Sequence, residues 1–230
     1  MSLADLQDGR CRSAGYPPTY AVRPLAEQVA ILGRCFPELV SHSRASLSNC
    51  STDALHPGSE GWFVIPKQEV VAGCYEDAVT LVLTLLSARR PVRNWRRDRI
   101  KSGSLRPVQE ATRALAHISS RQNGPFLVFP AQFGRRFKQF KPKEARRSIG
   151  KREFCLGAFA IGCMLITHQE RLSSDNHLWI DCPGDEYSPE PSMHHYKVPF
   201  FGLANSLLNF DFCANDIGGT QSGSATAFVP

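Results

Sequence analysis

Residues 155–167 read Cys-Leu-Gly-Ala-Phe-Ala-Ile-Gly-Cys-Met-Leu-Ile-Thr, the longest strongly apolar run in the chain. As a helix this run rises about 20 Å, short of the roughly 30 Å of hydrocarbon in a bilayer. A helix that is apolar on every side must be enclosed by a protein core instead. We therefore place a buried helix over 153–167, and the rest of the chain has to cover it.

Working outward, Gly61-Trp62-Phe63-Val64-Ile65 reads as a strand closed by Pro66, and Gln68 to Ala72 as a second short strand. Residues 75–88 read as a helix. Glu76 and Asp77 stand in its first turn and Arg89 and Arg90 follow its last, which suits the helix dipole. Pro107 opens a further helix to about Ser120, with Val108, Ala111, Leu115 and Ile118 as its apolar stripe. The turn Asn123-Gly124-Pro125 leads into the strand Phe126 to Phe129. Downstream, His177 to Cys182, Val198 to Phe201 and Leu207 to Phe212 are strand candidates. The Gly- and Ser-rich residues 218–224 run into Ala225 to Val229.

There is no internal repeat and no regular strand–helix–strand alternation. The expected fold is α+β: a single mixed domain of short strands and four to five helices over residues 60–230. Residues 1–59 form an N-terminal extension. It holds one helix near 24–36, ended before Pro37, and a Ser-rich linker over 40–60.

The net charge is +6, but it is strongly segregated. Residues 89–152 carry 19 basic and 3 acidic side chains, residues 1–88 carry 6 and 9, and residues 153–230 carry 2 and 9. Such asymmetry points to an anionic partner. The competing reading is that the basic middle packs against the acidic flanks of the same fold.

The eight cysteines include no CxxC pair, so the common zinc spacings are absent. The start Met-Ser-Leu-Ala-Asp-Leu-Gln-Asp lacks the basic then apolar pattern of a signal peptide. The chain is therefore expected to be cytoplasmic, with reduced and mostly buried cysteines and no membrane association. The sequon Asn49-Cys50-Ser51 is then a chance match.

Two segments concentrate the basic charge. The first runs from Arg89 to Lys101 around Trp95, and six of its seven basic residues are arginine. Arginine favours bidentate phosphate contacts and stacking on aromatic rings. Trp95 is either an exposed stacking platform or an anchor tying the loop to the core. The second segment is Phe133-Gly134-Arg135-Arg136-Phe137-Lys138-Gln139-Phe140-Lys141, continuing to Arg152. On a helix Phe133, Phe137 and Phe140 share one face, which we assign to the core. The nine basic residues of 135–152 need solvent or a polyanion. The candidate contacts are Arg93, Trp95, Arg96, Arg97, Arg99, Lys101, Arg135, Arg136, Lys138, Lys141, Arg146 and Arg147. Together they suffice for about 5–8 phosphates, so binding should weaken steeply with salt.

A third constellation follows the apolar run and contains His168, His177, Asp181, Cys182, Asp185, Glu186, His194 and His195. Carboxylates on loops at strand ends can hold a divalent metal for phosphoryl chemistry. Asp181, Asp185, Glu186 and His194 are the candidate ligands. No HExxH, GxSxG, P-loop or zinc-deaminase pattern accompanies them.

Three functions follow. The leading one is binding of DNA or RNA through the two basic segments, with no cofactor. The second is a metal-dependent nuclease or phosphohydrolase using Asp181, Asp185 and Glu186. The third is a self-assembling protein whose basic and acidic faces dock onto other copies, as a homo-oligomer or within a ribonucleoprotein-type assembly.

Overall fold

The computed structural model describes residues 15–42, 55–97 and 99–230. Cys11, Cys50, the sequon and most of the 40–60 linker lie outside these residues. Within them, the helices are α1 (Leu25–Cys35), α2 (Tyr75–Ser87), α3 (Gln109–Arg121), α4 (Pro142–Ser148) and α5 (Ala158–Thr167). The strands are β1 (Gly61–Pro66), β2 (Val92–Asn94), β3 (Leu105–Pro107), β4 (Phe126–Gln132), β5 (Glu153–Cys155) and β6 (Trp179–Asp181). They continue as β7 (Asp185–Tyr187), β8 (Lys197–Ala204), β9 (Leu207–Ala214), β10 (Ser222–Ser224) and β11 (Thr226–Phe228). The fold is α+β.

The apolar run behaves as expected in its second part only. All ten residues of α5 are buried, and they pack against α2, β1 and α1. Residues 153–155 are not helical, because they pair with β11 as the last strand of the first sheet. That sheet is antiparallel throughout, in the order β1-β4-β11-β5. Its β1 edge is closed by α1. The buried Gln28 side chain donates to the Trp62 carbonyl at 2.8 Å and accepts from the Val64 amide at 3.0 Å. An edge strand's free backbone groups are thereby satisfied within the fold. Leu32 and Phe36 of the same helical segment enter the core beside Phe63 and Ile65.

The second sheet is mixed. Strand β8 pairs with β9 along one edge and with β6 and β7 along the other. Strand β10 lies parallel to β6, β2 lies parallel to β9, and β3 pairs with β7. The β8–β9 hairpin turns on Asn205 and Ser206, both at positive φ (53° and 61°), a conformation that suits the strand twist in two-residue hairpins. The Asp175 carboxylate accepts from both of their amides and holds the turn.

Two sequence expectations fail here. Residues 68–72 are not a strand: Gln68–Val70 is a 3-10 turn, because the β1 ladder ends at Pro66 and Val70 faces solvent. Residues 133–141 are not a helix. Gly134 (φ 115°) and Gln139 (φ 67°) break it, and helix begins only at Pro142. Phe133 and Phe137 still reach the core, while Phe140 is 40% exposed. The six described cysteines are all free, with Cys155, Cys163 and Cys182 buried. Among the described residues no helix is long and apolar enough to cross a membrane.

Candidate nucleic-acid interface

Side chains alternate across a strand, so the registers of the second sheet sort its residues into two faces. Phe201 pairs with Phe210 and Leu203 with Leu208, and all four lie in the core. The intervening pairs, Phe200 with Asp211 and Gly202 with Asn209, therefore face outward. Arg93 stands opposite Asn209 and Asp181 opposite Phe200, so both join the outer face. Trp179 belongs to it as well.

That face is aromatic at its centre. The Trp179 and Phe200 rings are half-buried and stacked, with centroids 5.5 Å apart and an interplanar angle of 6°. Gly202 makes room for this, since a Cβ there would lie 2.5 Å from Trp179 Cδ2. The indole N–H of Trp179 is buried without a hydrogen-bond partner. At the β2 edge, Trp95 is 55% exposed, and its Nε1 donates to Asn209 Oδ1 at 3.0 Å. The side chain is thus both anchor and platform: the indole N–H ties it to β9 while the ring faces solvent. The Arg93 guanidinium lies 5.0 Å from that ring's centroid, within cation–π range.

The first basic segment leaves this edge after Arg97 and runs on to β7, where the Tyr187 hydroxyl donates to the Arg99 carbonyl at 3.3 Å. Arg97, Arg99 and Lys101 are exposed. Arg96 is engaged by Asp211, with Nε 2.5 Å from Oδ1.

The second segment borders the opposite edge, beyond β10. Its loop lies on β10 because Gly134 and Gly223 meet backbone to backbone. A Cβ on Gly134 would stand 2.5 Å from the Gly223 carbonyl oxygen. The Gln139 amide donates to the Ser222 carbonyl at 2.8 Å, and Lys138 bridges to Gly223. Arg135 stacks over Tyr16 at 4.2 Å, and Arg135, Lys141 and Arg147 are exposed. Arg136 pairs with the buried Glu153 at 3.2 Å. Arg146 turns inward and donates to the carbonyls of Pro183 (2.7 Å) and Asp185 (2.6 Å).

The basic middle therefore packs in part against the acidic flank, through Arg96–Asp211, Arg106–Glu186 and Arg136–Glu153. Most of the remaining cations face water. The order β10-β6-β8-β9-β2 puts four strand spacings, about 19 Å, between the two edges.

The acidic constellation does not assemble. Asp181 is buried and accepts one hydrogen bond from Ser222 Oγ at 2.8 Å, and burial pushes its pKa up to about 7. Asp185 is buried on the inner side of β7. It accepts from Tyr75 Oη and from the Ala158 amide, both at 2.7 Å, and burial raises it to about 7 as well. Glu186, its chain neighbour, points the other way to Arg106 at 2.6 Å. His194 is exposed on the connection to β8. His195 is buried against the backbone carbonyls of Met193 and Gly103. Among the described residues no three His, Cys, Asp or Glu side chains converge to hold a metal ion. The predicted ligand set is corrected accordingly: strand alternation sends Asp185 and Glu186 to opposite faces.

Sequence reasoning missed Trp179, Phe200 and Asn209. A signal for Phe200 was present, because neighbouring Phe200 and Phe201 on one strand cannot both face the core. Compared with known proteins, the chain matches no family model, no curated protein and no solved structure.

Proposed function

We propose that this protein binds single-stranded nucleic acid across the outer face of its second sheet. Bases stack on Trp95 and on the Trp179–Phe200 pair, and the backbone runs between the two basic segments. The observation that carries the reading is the combination on one surface: aromatic rings at the centre and at one edge, with arginine- and lysine-rich segments at both edges. Base–aromatic stacking contributes about 1–3 kcal/mol per base and tolerates any sequence. Phosphate neutralisation supplies the rest, independent of base identity. The exposed arginines suit this role because a guanidinium grips a phosphate through two parallel hydrogen bonds.

The test is fluorescence anisotropy with labelled single-stranded and duplex DNA and RNA, at low and near-physiological salt. Single strands are expected to bind more tightly than duplexes, with a log–log salt slope of roughly −0.7 per contacted phosphate. Trp95→Ala should weaken binding about tenfold, and Arg97→Ala should make the slope shallower by about one phosphate. Absence of binding at low salt, or binding that ignores both substitutions, would refute the proposal.

A further inference from the structure

A second site lies away from this face. Between α3, the first sheet and the start of α5 lies a cavity of about 440 Å³, within the size range of small-molecule sites. Ile65 and Leu127, which stand opposite each other on β1 and β4, line it together with Phe159 of α5. Small residues leave the space open, Ala111 and Ala116 on the helix side and Gly157, Ala160 and Gly184 on the core side.

Exposure decides which of these walls a ligand reaches. Leu115, Pro107 and Tyr75 are half-buried and present apolar surface to the cavity, while Ile65, Leu127 and Phe159 are almost fully covered. The Tyr75 hydroxyl is already engaged on both sides. It donates to Asp185 Oδ1 at 2.7 Å and accepts from the Phe159 amide at 3.4 Å, so its ring is what remains for a ligand. Asp185 is closed off: it has no accessible surface, and Gly157 packs against its Oδ1. No Lys, Arg or His lines the cavity, and its other carboxylate, Glu69, is exposed, where salt and water screen it. A charged ligand entering here loses hydration and gains no buried partner. A peptide brings backbone N–H and C=O groups into the same position. An uncharged apolar molecule meets neither cost, and the surface it covers is removed from water.

We propose that this cavity binds an uncharged aromatic small molecule, held by apolar contact with Leu115, Pro107 and the Tyr75 ring and by no ionic anchor. The Tyr75 ring favours an aromatic body, because offset or edge-on ring pairs add to the burial of area. None of the lining residues belongs to the proposed nucleic-acid contacts, so either reading can fail alone.

The experiment titrates neutral N-phenyl-1-naphthylamine, which fluoresces strongly only away from water, into the full chain at neutral pH. Saturable binding with blue-shifted emission is expected. Three competitors that share a naphthalene and differ at the head group then displace it: 1-naphthalenemethanol, 1-naphthoate and 1-naphthylmethylamine. The alcohol should displace the probe at a concentration at least about tenfold lower than either ion, because an ion leaves water without finding a partner. Ala116→Trp supplies a second arm. Ala116 is exposed at the cavity rim, so a tryptophan there fills the mouth and should abolish probe binding without lowering the melting temperature. Displacement by the anion or the cation at the same concentration as the alcohol overturns the proposal. So does the absence of binding up to the solubility limit of the probe, or probe binding that survives in a folded Ala116→Trp variant.

Discussion

Asp181→Asn separates a buried carboxylate that the fold merely tolerates from one that works as a ligand. Asp181 is 3% exposed and has one hydrogen-bond donor, Ser222 Oγ. Burial raises its pKa from 3.8 to about 7. Between those values the folded state holds a proton that the unfolded state has released. The contribution of this group is therefore fully favourable below about pH 4, declines as pH rises, and is lost by about pH 7. Roughly three pH units at 1.36 kcal/mol each give about 4 kcal/mol as an upper bound. Asparagine is neutral at every pH and still accepts from Ser222. The variant should thus match the wild type near pH 4 and exceed it by up to about 4 kcal/mol at pH 8. For a domain of this size that is a rise in melting temperature of about 8–16 °C. The assay is urea or thermal unfolding of both proteins from pH 4 to pH 8. Taking the difference cancels the other titrations, including buried His168, whose pKa burial lowers to about 4 and whose effect on stability has the opposite sign. A variant that is less stable at pH 8 than at pH 5, relative to wild type, would refute the reasoning. It would mean that the ionised carboxylate is used, as it would be in holding a cation.

Three further substitutions probe the core and the interface. Ile161→Ala empties a fully buried position on α5 and should cost about 2–5 kcal/mol in urea unfolding, because the surrounding packing can collapse only in part. Gly134→Ala forces a Cβ to within 2.5 Å of the Gly223 carbonyl oxygen at φ 115°. It should destabilise by about 1–3 kcal/mol and increase hydrogen exchange at the Gln139 amide, which bonds to β10. Trp179→Ala removes one ring of the central stack and should weaken oligonucleotide binding by about 1–3 kcal/mol with an unchanged salt slope, measured by anisotropy.

The parts of the fold written as local pattern were legible in the sequence. Helix α2 carries its acidic first turn and its mostly apolar surface on residues adjacent in the chain. Strands β8 and β9 show as the short Phe-bearing runs Val198 to Phe201 and Leu207 to Phe212. What could not be read depends on partners far away in sequence. Residues 153–155 look helical next to the apolar run, yet they are a strand because Thr226 to Phe228 arrives beside them. The helical spacing of Phe133, Phe137 and Phe140 is genuine, but the approach of Gly223 to Gly134 sets the backbone there. The site divides in the same way. The two basic segments announce themselves by composition. Their placement on opposite edges of one sheet follows from the parallel pairings of β2 with β9 and β10 with β6, which no local spacing encodes.

The distribution of acid bears on how the segregated charge is used. Residues 153–230 carry nine carboxylates, which in sequence suggests an acidic face able to dock onto the basic segment of another copy. In the structure Glu153, Asp181 and Asp185 are buried. Glu170, Glu186 and Asp211 are held by Arg23, Arg106 and Arg96. Only Asp175, Glu190 and Asp216 are left exposed, and Asp175 accepts from the amides of the β8–β9 turn. The acidic third therefore directs most of its charge inward, to the core and to arginines of the same chain. Its neutralising effect on the surface is small. Arg97, Arg99, Lys101, Arg135, Lys141 and Arg147 remain exposed with no acidic side chain within ion-pair distance among the described residues. Head-to-tail association of the kind the sequence suggests sets the basic middle against an acidic C-terminal face, and that third of the chain exposes only three carboxylates. A polyanion from outside the chain satisfies the same cations without requiring an acidic counterpart. The physical asymmetry between buried acid and exposed base thus favours nucleic acid over self-assembly.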